Sequence, residues 1–169
     1  MHDNEQMKKQ VEERIAKEKQ LLEKSEQQPE TEPRLTSSFV LECLRANELG
    51  DGILYAALHR NKIVYAKNSD QWFIWKKHSW VRDDLDFAVS SVERVANRDG
   101  DEIQVLTDQI GEAYKKGEDE GSAIKRKNKA IISDIYKRIS RLRTGKGRSN
   151  CLKFAHTNPR NQLSITGRE

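Results

Sequence analysis

A chain of 169 residues, 34% of them charged and 35% hydrophobic, can bury one modest core with polar flanks rather than two full cores. No run approaches the roughly 18 apolar residues of a membrane span. The opening Met1-His2-Asp3-Asn4-Glu5 has neither a basic start nor an apolar stretch, so a cytoplasmic protein without membrane contact is expected.

Residues 5–27 are rich in Glu, Lys and Gln, with a thin apolar series at Met7, Val11, Ile15 and Leu22 spaced for one face of a helix. That stripe is too narrow for a buried helix. The polar stretch from Ser25, with Pro29 and Pro33, reads as a linker, so residues 1–35 are expected to be a helical tail and linker ahead of a domain at 36–169. A solvated tail and a weak coiled-coil or partner contact both remain open for the tail.

Thr36-Ser37-Ser38 is an N-cap cluster, followed by Phe39, Val40, Cys43, Leu44 and Ala46 at helical spacing. Asn47 through Gly52 is expected to end this helix, with Gly50 as a left-handed C-cap. Ile53–Leu58 leans towards a strand but is Ala-rich and could continue the helix. Ile63–Tyr65, Trp72–Trp75 and Trp80-Val81, separated by turn residues, predict a small antiparallel meander. Trp72, Trp75 and Trp80 fall within nine residues and are expected to anchor the fold. The helix and meander occupy 36–82.

The part from 83 to 169 reads as helical. Asp83-Asp84 would cap a helix carrying Leu85, Ala88, Val89, Val92 and Val95, and a turn at Arg98–Asp101 or an unbroken helix leads on to Ile103, Leu106, Ile110, Ala113 and Tyr114. Ser122 opens a last strong helix with Ile124, Ile131, Ile135, Ile139 and Leu142 on one face. Thr144-Gly145-Lys146-Gly147 stops it, and a short helix over Ser149–His156 follows. The expected class is α+β: a small Trp-rich antiparallel β-meander with a mainly helical C-terminal half and an extended N-terminal helix.

Few residues suggest catalysis. Asp83, Asp84 and Asp86 could hold divalent metals for phosphoryl transfer, but adjacent acids at a helix start are more simply capping groups. His59, His78 and His156 lack the spacing of a metal motif, and Cys43 and Cys151 read as reduced core thiols, so no metal is expected. Gly145-Lys146-Gly147-Arg148-Ser149 is not a phosphate loop, because Ser140 stands where the motif requires its first glycine.

Charge carries more. Residues 83–120 are strongly acidic, whereas Lys125, Arg126, Lys127, Lys129, Lys137, Arg138, Arg141, Arg143, Lys146 and Arg148 face a single acid, Asp134, over 125–148. Cations spread along one helix can neutralise successive phosphates, which makes these ten residues the candidate nucleic-acid contacts. The same cations could form a solvated face or neutralise the acidic helices within the domain. Trp72 and Trp75 are candidate stacking surfaces for unpaired bases, although strand alternation puts them on opposite faces and core packing competes.

The order Asn47-Glu48-Leu49-Gly50-Asp51-Gly52, Leu54-Tyr55, a short basic turn, Val64-Tyr65, Trp72-Phe73-Ile74-Trp75 and His78-Ser79-Trp80, then Ile135-Tyr136 and Arg148-Ser149 through Ala155, resembles a known family. It is similar to the region preceding the superfamily-three helicase module of phage and plasmid primase-helicases, the poxvirus-type primase-helicase N-terminal domain. The resemblance spans roughly 36–169. It implies a non-catalytic accessory region that binds or loads DNA, single-stranded or forked, for a helicase module acting in cis or in trans. The ATPase, with its ATP and Mg, is expected in that module beyond Glu169, so no cofactor is expected in this chain. A protein-interaction module, with homo-oligomer formation, is the alternative.

Overall fold

The computed structural model describes residues 35–158. The helix expected at 5–27 and the linker after it lie outside these residues.

Helix α1, Ser37–Arg45, begins where the Thr36 hydroxyl accepts from Phe39 N at 3.3 Å, and it buries Val40 and Cys43. It ends at Ala46, and Asn47, at φ 53°, turns the chain directly into α2, Asn47–Leu58. The expected C-cap at Gly50 is therefore corrected. Gly50 lies inside α2, and no described glycine adopts a left-handed φ. Its requirement is steric: a Cβ there would overlap the carbonyl of Cys43, so only glycine lets α1 and α2 approach this closely. Gly52 plays the same part against the last helix, where a Cβ would come within 2.6 Å of Ala155 N.

Ile53–Leu58 is helical rather than a strand, and Leu54, Tyr55 and Ala56 are buried in it. Two alanines and close packing on both sides favour the helix over a pleated surface. The Tyr55 hydroxyl donates to the carbonyl of Ala88 at 2.9 Å, and its burial pushes the phenol pKa well above the usual value.

Three antiparallel strands follow in the order β1 (Ile63–Ala66), β2 (Gln71–Lys76) and β3 (Ser79–Arg82). Tyr65 pairs with Trp72 between β1 and β2, and Trp75 pairs with Trp80 between β2 and β3. Asp70 and Lys77, at φ 55° and 53°, make the two tight connections. Asp83 then accepts from Phe87 N at 2.8 Å and Ala88 N at 2.7 Å, which opens the single turn α3, Phe87–Ser90. The acid cluster thus contributes a cap, while Asp84 pairs with Arg82 at 2.6 Å.

The remainder is helical: α4 (Glu93–Lys116), α5 (Glu118–Leu142) and α6 (Gly145–Thr157). Helix α4 runs unbroken through Gly100. Helix α5 starts four residues before Ser122, with Glu118, Asp119 and Glu120 in its first turn where the helix dipole favours acids. Gly117 is a one-residue connection, and Tyr114 against Gly121, Leu106 against Asn128 and Asp99 against Arg138 fix α4 and α5 as an antiparallel pair. The Asn128 amide donates to the Leu106 carbonyl at 3.0 Å across that pair. Gly145-Lys146-Gly147 forms the first turn of α6, where Thr144 Oγ1 accepts from Gly147 N at 3.0 Å.

The core joins Val40, Leu54, Tyr55, Ile63, Val92, Val95, Leu142, Cys151 and Leu152, with Trp72 packed against it. Cys43 and Cys151 are free and buried, and burial pushes the Cys43 thiol up to about 11 and the Cys151 thiol higher still. Both stay protonated and behave as small apolar groups. Among the described residues no helix is long and apolar enough to cross a membrane.

Candidate nucleic-acid interface

The cations of residues 125–148 divide into two populations. One points inward. Arg138 is 1% exposed, and its Nε lies 2.6 Å from Asp51 Oδ1 on α2 and 3.2 Å from Asp99 Oδ2 on α4. These are charge contacts rather than aligned hydrogen bonds, so Coulomb attraction in a poorly solvated pocket holds the guanidinium. Arg141 Nη2 donates to the other oxygen of Asp51 at 2.7 Å. Arg98 reaches Glu102, itself buried, at 3.2 Å. The expected phosphate contact at Arg138 is corrected: the side chain locks α5 to α2 and α4 and does not reach solvent.

Asp99 shows how tightly this cluster is enclosed. Burial pushes its carboxyl up to about 7, against the opposing pull of Arg138, while Asp51 adds to the rise. Between the ordinary value of 3.8 and about 7 the folded chain holds a proton that the unfolded chain releases. The group's stabilising contribution is complete below about pH 4 and is lost as pH climbs through about 7. Asp99→Asn is expected to flatten that part of the stability profile, measured as urea midpoints across the range. Parallel profiles for the two proteins would show that Asp99 does not carry it.

Arg143 and Arg148 are also partnered. Arg143 Nη2 lies 2.7 Å from Glu93 Oε1, and Arg148 Nη2 lies 3.8 Å from Glu93 Oε2. Lys127 lines a groove with Asp108, Glu112 and Glu120, and the Lys125 ammonium sits 5.8 Å from the centre of the Tyr114 ring. Part of the basic segment therefore neutralises the acidic segment within the domain.

The second population faces solvent. Arg126, Lys129 and Lys137 share one side of α5 with Ser122, Ser133 and Ser140, and all six are exposed. Arg126 to Lys137 spans about 16 Å along the helix axis. Arg126 and Lys129 make no ion pair with any other described residue, and Lys137 holds only the exposed Asp134, at 2.9 Å. Lys146, also exposed, stands at the start of α6. Beside this ridge, Leu41, Leu44 and Arg45 of α1 and Lys137 and Arg141 of α5 line an open cleft of about 470 Å³. Arg45 is a cation outside the segment that sequence alone singled out.

The tryptophans separate as strand alternation requires. Trp72 turns inward, edge-on to Tyr55 and Tyr65 at centroid distances of 6.0 and 5.2 Å, so it is a core residue and not a stacking surface. Trp75 is 38% exposed on the opposite face, with the Trp80 ring 5.2 Å away. His59 is buried with Nε2 3.1 Å from the Ser91 carbonyl, and His156 stacks on Tyr65 at 4.7 Å. Among the described residues no group of three or more His, Cys, Asp and Glu side chains is arranged to hold a metal ion.

No curated protein and no solved structure matches the chain. The model of the family described as "D5 N terminal like" matches residues 52–169, more than two thirds of the chain and everything from the interior of α2 onward. The chain belongs to that family, the N-terminal region of phage and plasmid primase-helicase proteins.

Proposed function

We propose that this domain contacts DNA, single-stranded or forked, on behalf of an ATP-driven helicase module, and that the exposed ridge of α5 is the contact. The observation that carries the reading is the division of the cations: the domain sets Arg138, Arg141, Arg143 and Arg148 beside its own acids, yet leaves Arg126 and Lys129 in solvent without an acid beside them. Folding does not explain those two. Interleaved serines add neutral donors to the same face, a composition suited to phosphate oxygens. ATP and Mg belong, on this reading, to the helicase module.

The test is charge reversal with a salt series. Arg126→Glu with Lys129→Glu is expected to weaken oligo-dT binding by the full chain at least tenfold. The slope of log affinity against log salt should become shallower by roughly one to two units. Melting temperature should not move, because neither side chain is buried or paired within the domain. Unchanged affinity would sink the proposal, and a concentration-dependent oligomer indifferent to DNA would favour a role in assembly instead.

A further inference from the structure

The outward face of the sheet is composed differently from its core face. On β2, alternation sends Trp72 and Ile74 towards the core and Phe73 and Trp75 away from it. Trp75 pairs with Trp80 on β3, and Trp75 N donates to the carbonyl of Lys62 at 2.8 Å, so Lys62, Trp75 and Trp80 form one cross-strand row. Phe73 pairs with Arg82 in the next row. The face therefore holds three aromatic rings between two cations at opposite corners, and the turn after β2 carries the exposed Lys77. No acid occupies a strand position on this face, and Asp84, which pairs with Arg82 through the loop, is 60% exposed and held only by a surface ion pair.

We infer that this face binds one or two unpaired bases of single-stranded DNA, stacked on Trp75 and its neighbour Trp80, while Arg82 meets a flanking phosphate. The inference rests on the DNA-contact reading above and adds a second, non-ionic subsite to it. Rings amid cations suit a ligand that alternates flat apolar surface with negative charge. A second copy of the chain is a poorer occupant, because facing two such surfaces brings like charges together. Trp75 is exposed on this face and Trp80 half-buried beside it, whereas Trp72 already packs against the core.

The experiment measures labelled oligo-dT binding to the full chain, with a blunt duplex as comparison. Trp75→Ala is expected to weaken oligo-dT binding about tenfold with no change in salt slope, since stacking releases no counterions. Trp75→Phe should keep most of the affinity, because it retains a π-face. Oligo-dT should also quench the tryptophan emission of the unmodified chain, and Trp75→Phe should remove most of that quench, a readout that holds even if Trp75→Ala folds poorly. If the α5 reversal abolishes binding while Trp75→Ala and the quench show nothing, this subsite is wrong and the helix reading stands. No oligo-dT binding by the unmodified chain would overturn both. Equal affinity for the duplex, or self-association lost in Trp75→Ala with DNA binding intact, would overturn the stacking site alone.

Discussion

Gly50→Ala is expected to destabilise the domain by about 3 kcal/mol, the upper end of overpacking costs. One methyl group has this effect because of what it meets. A Cβ at Gly50 overlaps the Cys43 carbonyl, carbon and Cα, all backbone atoms of the preceding helix, so no rotamer change relieves it. Either α1 moves off α2 or the α1 C-terminus unwinds, and both expose Val40 and Cys43, which are buried. Gly111 is the internal control. It is exposed within α4 with nothing within 4 Å of a Cβ, so Gly111→Ala should stabilise by roughly 0.5–1 kcal/mol through helix propensity. Urea unfolding of the two variants measures both. A loss at Gly50 below about 1 kcal/mol would mean that α1 is free to shift.

The same glycine marks the limit of what the sequence makes legible. Asn47-Glu48-Leu49-Gly50 has the letters of a helix terminus, and a helix does end there, at Ala46. Gly50 itself answers a contact seven residues away, which local chemistry cannot report. The three strands and their antiparallel order were readable because Trp, Tyr and Ile alternate between turn residues, and the opposite facing of Trp72 and Trp75 followed from the period of two. Ile53–Leu58 was ambiguous for a physical reason: a buried apolar run looks alike in a helix and in a strand.

The interior ion cluster left a trace that charge counting passes over. Arg138 stands three residues after Ile135 and four before Leu142, and Asp99 and Glu102 occupy the matching places between Val95 and Leu106. All seven side chains are buried. Charges of opposite sign on the apolar stripes of two helices are a signal that the helices pair through them. Counting cations along 125–148 treats Arg138 and Lys129 as equivalent, although the helical period puts them on different faces.

Arg138→Leu turns that distinction into a measurement. It is expected to cost about 3–5 kcal/mol, because it removes the cation between Asp51 and Asp99 and leaves the two buried acids without it. Asp51 keeps Arg141, at 2.7 Å, but Asp99 loses the cation that offsets its burial. Combining Arg138→Leu with Asp99→Asn should therefore recover part of the loss, since a neutral amide can stay buried where an unpaired carboxylate cannot. A double variant as unstable as the sum of the single ones would show that the two groups do not act together. Any DNA binding lost by Arg138→Leu should return with the stability in the double variant, because this arginine acts by holding α5 against α2 and α4. The reversal of Arg126 and Lys129 should do the opposite, removing binding from a domain that unfolds where the unmodified chain does. A binding defect that persists in the stabilised double variant would mean that Arg138 leaves its pocket to reach the strand, and that the interior cluster is itself part of the DNA site.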